Sequence, residues 1–107
     1  MPRPVAILRT VMAAAIREQR VLSLVYARSI EPQLFAPVAL YISAADQFFL
    51  AGYEVRRKTV RWRILELEQV RDVWQTPQSF SLDAEAPIPK TYPTGATVIA
   101  QASLPGF

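Results

Sequence analysis

The stretch from Phe48 to Leu67 constrains the fold most, because it alternates like two β-strands joined by a short basic turn. Apolar and basic side chains alternate along the second strand, which assigns them to two faces: Val60, Trp62 and Ile64 on one, and Arg61, Arg63 and Leu65 on the other. The first face is predicted to pack on a core and the second to hold guanidinium groups at a fixed spacing. The pattern therefore predicts antiparallel β-structure around this hairpin.

The composition predicts one globular domain in a chain of 107 residues, of which 51% are hydrophobic and 20% charged. Cysteine and histidine are both missing from the sequence. Thiolate or imidazole metal sites and histidine-based acid–base catalysis are therefore excluded, and we predict neither a cofactor nor enzymatic activity. The net charge is +3, and residues 54–71 carry six of the twelve basic side chains. Cationic character is thus concentrated in the middle of the chain.

Residues Val5–Gln19 carry the strongest helical pattern. Apolar side chains recur at spacings of three and four residues, at Val5, Leu8, Met12 and Ile16. Arg9, Arg17 and Glu18 fall off this stripe and are predicted to face solvent. We expect the helix to pack across one end of a sheet, and the alternative interpretation is a dimerisation helix.

Five β-type runs follow the helix. Their predicted bounds are Val21–Arg28, Leu34–Ser43, Phe48–Val55, Thr59–Leu65 and Val70–Thr76. One helix followed by consecutive antiparallel strands predicts a mainly β, α+β fold, in which the helix packs on a five-stranded, partly open barrel. Gly52 lies inside a predicted strand, which favours a bulge or sharp bend there over the close approach of a ligand.

The composition changes after Phe80, where prolines crowd a segment with few large apolar residues. The predicted organisation is one domain at residues 1–82, with the helix at about 5–19 and the barrel at about 20–80, and a proline-rich tail at residues 83–107. Residues 94–101 predict one added strand, which would pair with an open edge of this domain or of a neighbour.

Residues 12–80 resemble the WYL domain, a family named for a Trp-Tyr-Leu signature. The matching positions are Phe48-Phe49-Leu50 at the signature, Gly52 and Tyr53 after it, and Trp62-Arg63 at the aromatic–arginine pair of the second block. The order and spacing of these blocks carry the resemblance more than any single triplet does.

The sequence departs from the family pattern in two places. Leu65-Glu66-Leu67 stands where the family's second block has its usual ending, so that the acidic Glu66 replaces a basic residue. Phe48 and Phe49 lack the indole N–H and the phenol hydroxyl of the usual signature. The resemblance is therefore to a divergent member of the family, and it does not carry over every ligand contact.

The resemblance implies an Sm/SH3-like small β-barrel of the kind found in bacterial transcription regulators. WYL domains sense ligands, commonly nucleic acid or nucleotides, through positively charged residues near the signature strands. For this chain it implies a regulatory domain that is either stand-alone or a fragment, a homodimer, and a partner regulator that acts in trans. The ligand would be single-stranded nucleic acid or a nucleotide.

The basic hairpin is the best candidate for a binding site. The candidate residues are Arg56, Arg57, Lys58, Arg61, Arg63 and Tyr53. Guanidinium groups present planar donors that suit phosphate oxygens, and Tyr53 and Tyr26 are the tyrosines expected to be partly exposed for base stacking. The competing interpretation is a solvated turn whose charge is balanced by nearby glutamates.

Two functions remain open from the sequence. The first is a binding module for an anionic ligand at the basic hairpin. The second is a protein-interaction or dimerisation module that has no small ligand of its own. The apolar stretch near the N-terminus is too short to cross a bilayer, so a cytoplasmic protein without membrane contact is expected.

Overall fold

A computed structural model describes residues 5–56, 59–80 and 95–101. Helix α1 covers Val5–Glu18, and the strands are β1 (Arg20–Tyr26), β2 (Gln33–Ile42), β3 (Phe48–Arg56), β4 (Thr59–Glu66), β5 (Val70–Ser79) and β6 (Thr97–Gln101). A short 3-10 helix, Leu67–Gln69, connects β4 to β5. The predicted helix and the five predicted strands are confirmed, and their ends differ by a few residues.

The strands form one antiparallel sheet in the order β4-β3-β2-β1-β5. Strand β3 pairs with β2 from Leu34 to Ile42, while β1 pairs with only the first residues of β2, at Gln33 to Phe35. On the side of β2 that faces β1, strand β6 pairs with the later residues, Ala39 to Ile42. The tail strand that the sequence predicts therefore exists and pairs with an edge of its own sheet.

The sheet is curled, because β4 and β5 stand at opposite ends of the strand order and yet are connected by only three residues, Leu67–Gln69. The backbone N–H of Glu66, on β4, donates to the Tyr26 hydroxyl at 3.3 Å. The N–H of Ala27 donates to the carbonyl oxygen of Gln69 at 2.7 Å. No ladder joins β4 to β5 within the described ranges, so the sheet is not closed. The architecture shown is a mainly antiparallel sheet with one N-terminal helix.

Helix α1 packs on this sheet, as the sequence predicts. Its side chains at Leu8, Met12 and Ile16 are fully buried in a core shared with the strands. Val5 also belongs to the predicted stripe but is 37% exposed. Within the ranges that the structure describes, no helix is long and apolar enough to cross a membrane.

Gly52 lies opposite a bulge, but the additional residue is in the neighbouring strand β2 and not in the strand of the glycine itself, where the sequence predicted it. Pro37 pairs with Gly52 and Ala39 with Ala51, so Val38 is the additional residue in β2. A Cβ atom built on Gly52 would contact the carbonyl oxygen of Ala36 and lie 2.8 Å from Cε1 of Phe35. Position 52 therefore requires glycine because β2 lies too close for a side chain, and not because of a turn.

A second, smaller cluster of buried side chains centres on Ala39, Tyr41 and Ala51. The Tyr41 ring stacks on Phe49, with ring centroids 5.4 Å apart. Burial raises the pKa of the Tyr41 hydroxyl above its ordinary value of 10.0 because the tyrosinate anion loses hydration there.

We expect the folded protein to lose stability as the pH rises above about 10, partly through Tyr41. Above this pH the unfolded chain releases the Tyr41 proton, while the folded chain still holds it because its pKa is raised. Urea unfolding between about pH 8 and pH 11 should show a shallower alkaline loss of stability in Tyr41→Phe than in the unmodified protein. Equal pH slopes would show that burial of this hydroxyl does not contribute.

Candidate functional site

Strands β3 and β4 bring the predicted cationic residues onto one face of the sheet. Arg61 pairs with Glu54, Arg63 with Gly52, and Leu65 with Leu50. Residues directly opposite each other in an antiparallel ladder project to the same face. That face therefore carries two arginines near the turn and two leucines at the other end of the strands.

The predicted division of β4 into a core face and a solvent face is wrong at its C-terminal end. Leu65, on the arginine face, is 1% exposed, whereas Ile64, on the predicted core face, is 50% exposed. Because the sheet curls, one face of β4 passes from solvent at Arg61 into the core at Leu65. Trp62 is half-buried, and the side chain of Val60 is outside the described set.

Arg63 is held in place by an acidic partner. Its Nη1 donates to Oε2 of Glu54 at 2.8 Å, and Glu54 is 3% exposed while 33% of the Arg63 side chain is exposed. Its guanidinium carbon also lies 5.8 Å from the centre of the Tyr26 ring, within the range of a cation–π contact. Arg63 thus connects β4 to both β3 and β1.

Arg61 is in a different environment. Its side chain is exposed, and it forms no hydrogen bond or ion pair with any described residue. Arg61 lies directly opposite Glu54 in the ladder, and it is two residues before Arg63 on β4. Arg61 is therefore a cation able to bind an external anion without first breaking an internal contact.

The basic turn can be described only in part. Arg56 ends β3, but its side chain is not described, and Arg57 and Lys58 lie outside the described residues. The chain nevertheless places the turn between the last residue of β3 and Thr59, the first of β4. The three residues therefore stay sequence-based candidates next to Arg61.

The expected partial exposure of Tyr53 is wrong. Tyr53 is 7% exposed and packs edge-on against Trp62, with ring centroids 5.1 Å apart and an interplanar angle of 74°. A ring enclosed in this way offers no face on which a base can stack. Tyr26 is half-buried as predicted, and its hydroxyl accepts the Glu66 N–H.

The structure also shows a polar cavity that the sequence did not predict. It has a volume of about 480 Å³ and lies where the loop before β2 meets the end of β3, lined by Ser29, Glu31, Gln33, Glu54 and Val55. The only signal in the sequence was the gap between the predicted strands Val21–Arg28 and Leu34–Ser43. The buried carboxylate of Glu54 lies between this cavity and the arginines of β4.

The described residues contain no group of three or more Asp and Glu side chains placed to hold a metal ion. Comparisons of the chain with protein-family models, curated proteins and solved structures find no significant match.

Proposed function

We propose that this chain is a non-enzymatic regulatory domain that binds an anionic ligand, single-stranded nucleic acid or a nucleotide, on β3 and β4. The observation that carries the proposal is the exposed Arg61, which has no partner among the described residues and lies beside a second arginine fixed by Glu54. Phosphate oxygens are suitable partners for such guanidinium groups.

We also propose that the fold is a divergent WYL domain with a partly open Sm/SH3-like barrel. The helix followed by a sheet in the order β4-β3-β2-β1-β5 supports this proposal, as does the curl that brings Tyr26 to Glu66. In the divergent segment Leu65-Glu66-Leu67, the two leucines are buried in the core and Glu66 is exposed. The proposal includes a homodimer and a partner regulator acting in trans.

Arg61→Ala tests the binding site without disturbing an internal ion pair. We expect a fluorescently labelled single-stranded oligonucleotide to bind the unmodified chain with an affinity that falls steeply with salt. Loss of one phosphate contact should weaken binding by about 3- to 10-fold at low salt and reduce the slope of log K against log salt by about 0.7. Fluorescence polarisation titrations at several salt concentrations measure both quantities.

Arg71→Ala is the matched control, since it removes the same charge from an exposed arginine on β5, a strand that does not pair with β3 or β4. Its affinity and salt slope should stay those of the unmodified chain. Equal losses in both variants would indicate attraction by net charge alone, and the absence of binding at low salt would refute the proposed function.

A further inference from the structure

A shallow groove of about 340 Å³ runs between α1 and β6, away from the arginines of β4. Small or apolar side chains make up part of its lining, at Ala6, Ala13 and Ile99. Arg9, Thr10 and Arg17 complete the lining, which contains no carboxylate. The Thr10 hydroxyl donates to the carbonyl oxygen of Ala6 at 3.0 Å, so its proton is already used within the helix.

The helical pattern predicts that Arg9 faces solvent, but this prediction is wrong. The Arg9 side chain is half-buried. Its guanidinium carbon lies 4.5 Å from the centre of the Phe48 ring, so the side chain is fixed by a cation–π contact. Its Nε atom is buried and has no hydrogen-bond partner among the residues that the structure describes. A buried donor without an acceptor is unfavourable by about 1–3 kcal/mol, and more when it is charged. Arg9 is thus a preorganised cation whose guanidinium group contacts Phe48 and whose Nε has no acceptor in the described ranges.

Arg17 supplies a second cation to the same groove. It is exposed and forms no hydrogen bond or ion pair with any residue in the described ranges. Arg9 and Arg17 are eight residues apart, which corresponds to about 12 Å along a helix. Ala13 lies between them in the lining. The groove therefore presents two positive groups separated by an apolar surface.

We infer that this groove binds an acidic segment of a partner protein, with two carboxylates on either side of apolar residues. One carboxylate would pair with the half-buried guanidinium group of Arg9 and the other with Arg17. A charged acceptor suits the unsatisfied guanidinium donor, and the apolar lining suits the side chains between the two acids. Nucleic acid fits less well, because no aromatic side chain lines the groove to stack on a base.

The test follows the Arg9 side chain directly by NMR of the full 107-residue chain labelled with ¹⁵N. The probe is the peptide acetyl-Glu-Ala-Leu-Ala-Glu-amide, whose two carboxylates and leucine project to the same face when it is extended, with the acids about 13 Å apart. We expect saturable shifts of the Arg9 Nε–H signal and of the Ile99 amide. Arg17→Ala should weaken binding by about 3-fold or more, whereas Arg61→Ala should not change it.

Acetyl-Gln-Ala-Leu-Ala-Gln-amide is the matched control and should cause no shift. Three outcomes would overturn the inference: no shift of the Arg9 signal with the acidic peptide, equal shifts with both peptides, or a stronger effect of a single-stranded oligonucleotide on the same signal. A change of the Arg9 signal in an Asp83→Asn/Glu85→Gln variant without peptide would also overturn it, since the acceptor would then come from the chain itself.

Discussion

Gly52→Ala is expected to lower the free energy of unfolding by about 2–3 kcal/mol, the upper part of the usual range for inserting a methyl group into a packed site. The added Cβ would meet the carbonyl oxygen of Ala36 and lie 2.8 Å from Cε1 of Phe35 and 3.0 Å from Cα of Pro37. Two of these three atoms belong to the backbone of β2, so relief requires movement of the strand. The melting temperature should fall by about 10–20 °C in a domain of this size.

Gly95→Ala is the graded control for this prediction. Gly95 is exposed and has a φ of 83°, and its new Cβ would lie 2.8 Å from the side-chain Cβ of Ala44. The expected loss is about 1 kcal/mol, mainly from the left-handed backbone conformation. Chemical denaturation of both variants gives the comparison. A Gly52→Ala variant no less stable than Gly95→Ala would show that β2 moves aside easily, contrary to the packing at the bulge.

The helix, the five main strands and the tail strand could be predicted from the sequence because their signals are local. Hydrophobic periodicity identified α1, and runs of β-branched and aromatic residues identified the strands. Gly52 indicated an irregular position for the same reason, although the additional residue lies in the neighbouring strand β2. Curling of the sheet is not local, and its consequences were missed at the C-terminal end of β4.

The side chains of the candidate site show the same limit. Alternation alone placed Ile64 in the core and Leu65 outside, but the curl reverses both. Tyr53 looked suitable for stacking, yet Trp62 lies directly opposite and covers it. The Arg63–Glu54 pair depends on the register of two strands, and a sequence of alternating charges fits several registers. The Arg9–Phe48 contact joins the helix to β3, and no periodicity within either element indicates it.

Arg63→Ala is expected to lower the free energy of unfolding by about 2 kcal/mol. Removing the guanidinium takes away the positive group that lies 2.8 Å from the Glu54 carboxylate, which is 3% exposed. Breaking a fully buried pair costs about 3–5 kcal/mol, and the smaller value here reflects the 33% exposure of the Arg63 side chain. Urea unfolding at neutral pH and low salt measures the difference.

A double-mutant cycle with Glu54→Gln separates the ion pair from simple loss of packing. When Gln replaces the carboxylate, Arg63→Ala no longer leaves a buried charge, so its additional effect should be smaller by about 1 kcal/mol or more. Arg61→Ala is the matched control and should change stability by less than about 0.5 kcal/mol, since it breaks no contact with a described residue. Equal effects of Arg61→Ala and Arg63→Ala would contradict a structural role for the pair.

The same ion pair has a consequence for ligand binding. Glu54→Gln releases the Arg63 guanidinium and should strengthen oligonucleotide binding, whereas Arg61→Ala should weaken it. The two substitutions therefore distinguish the positioned arginine from the exposed one.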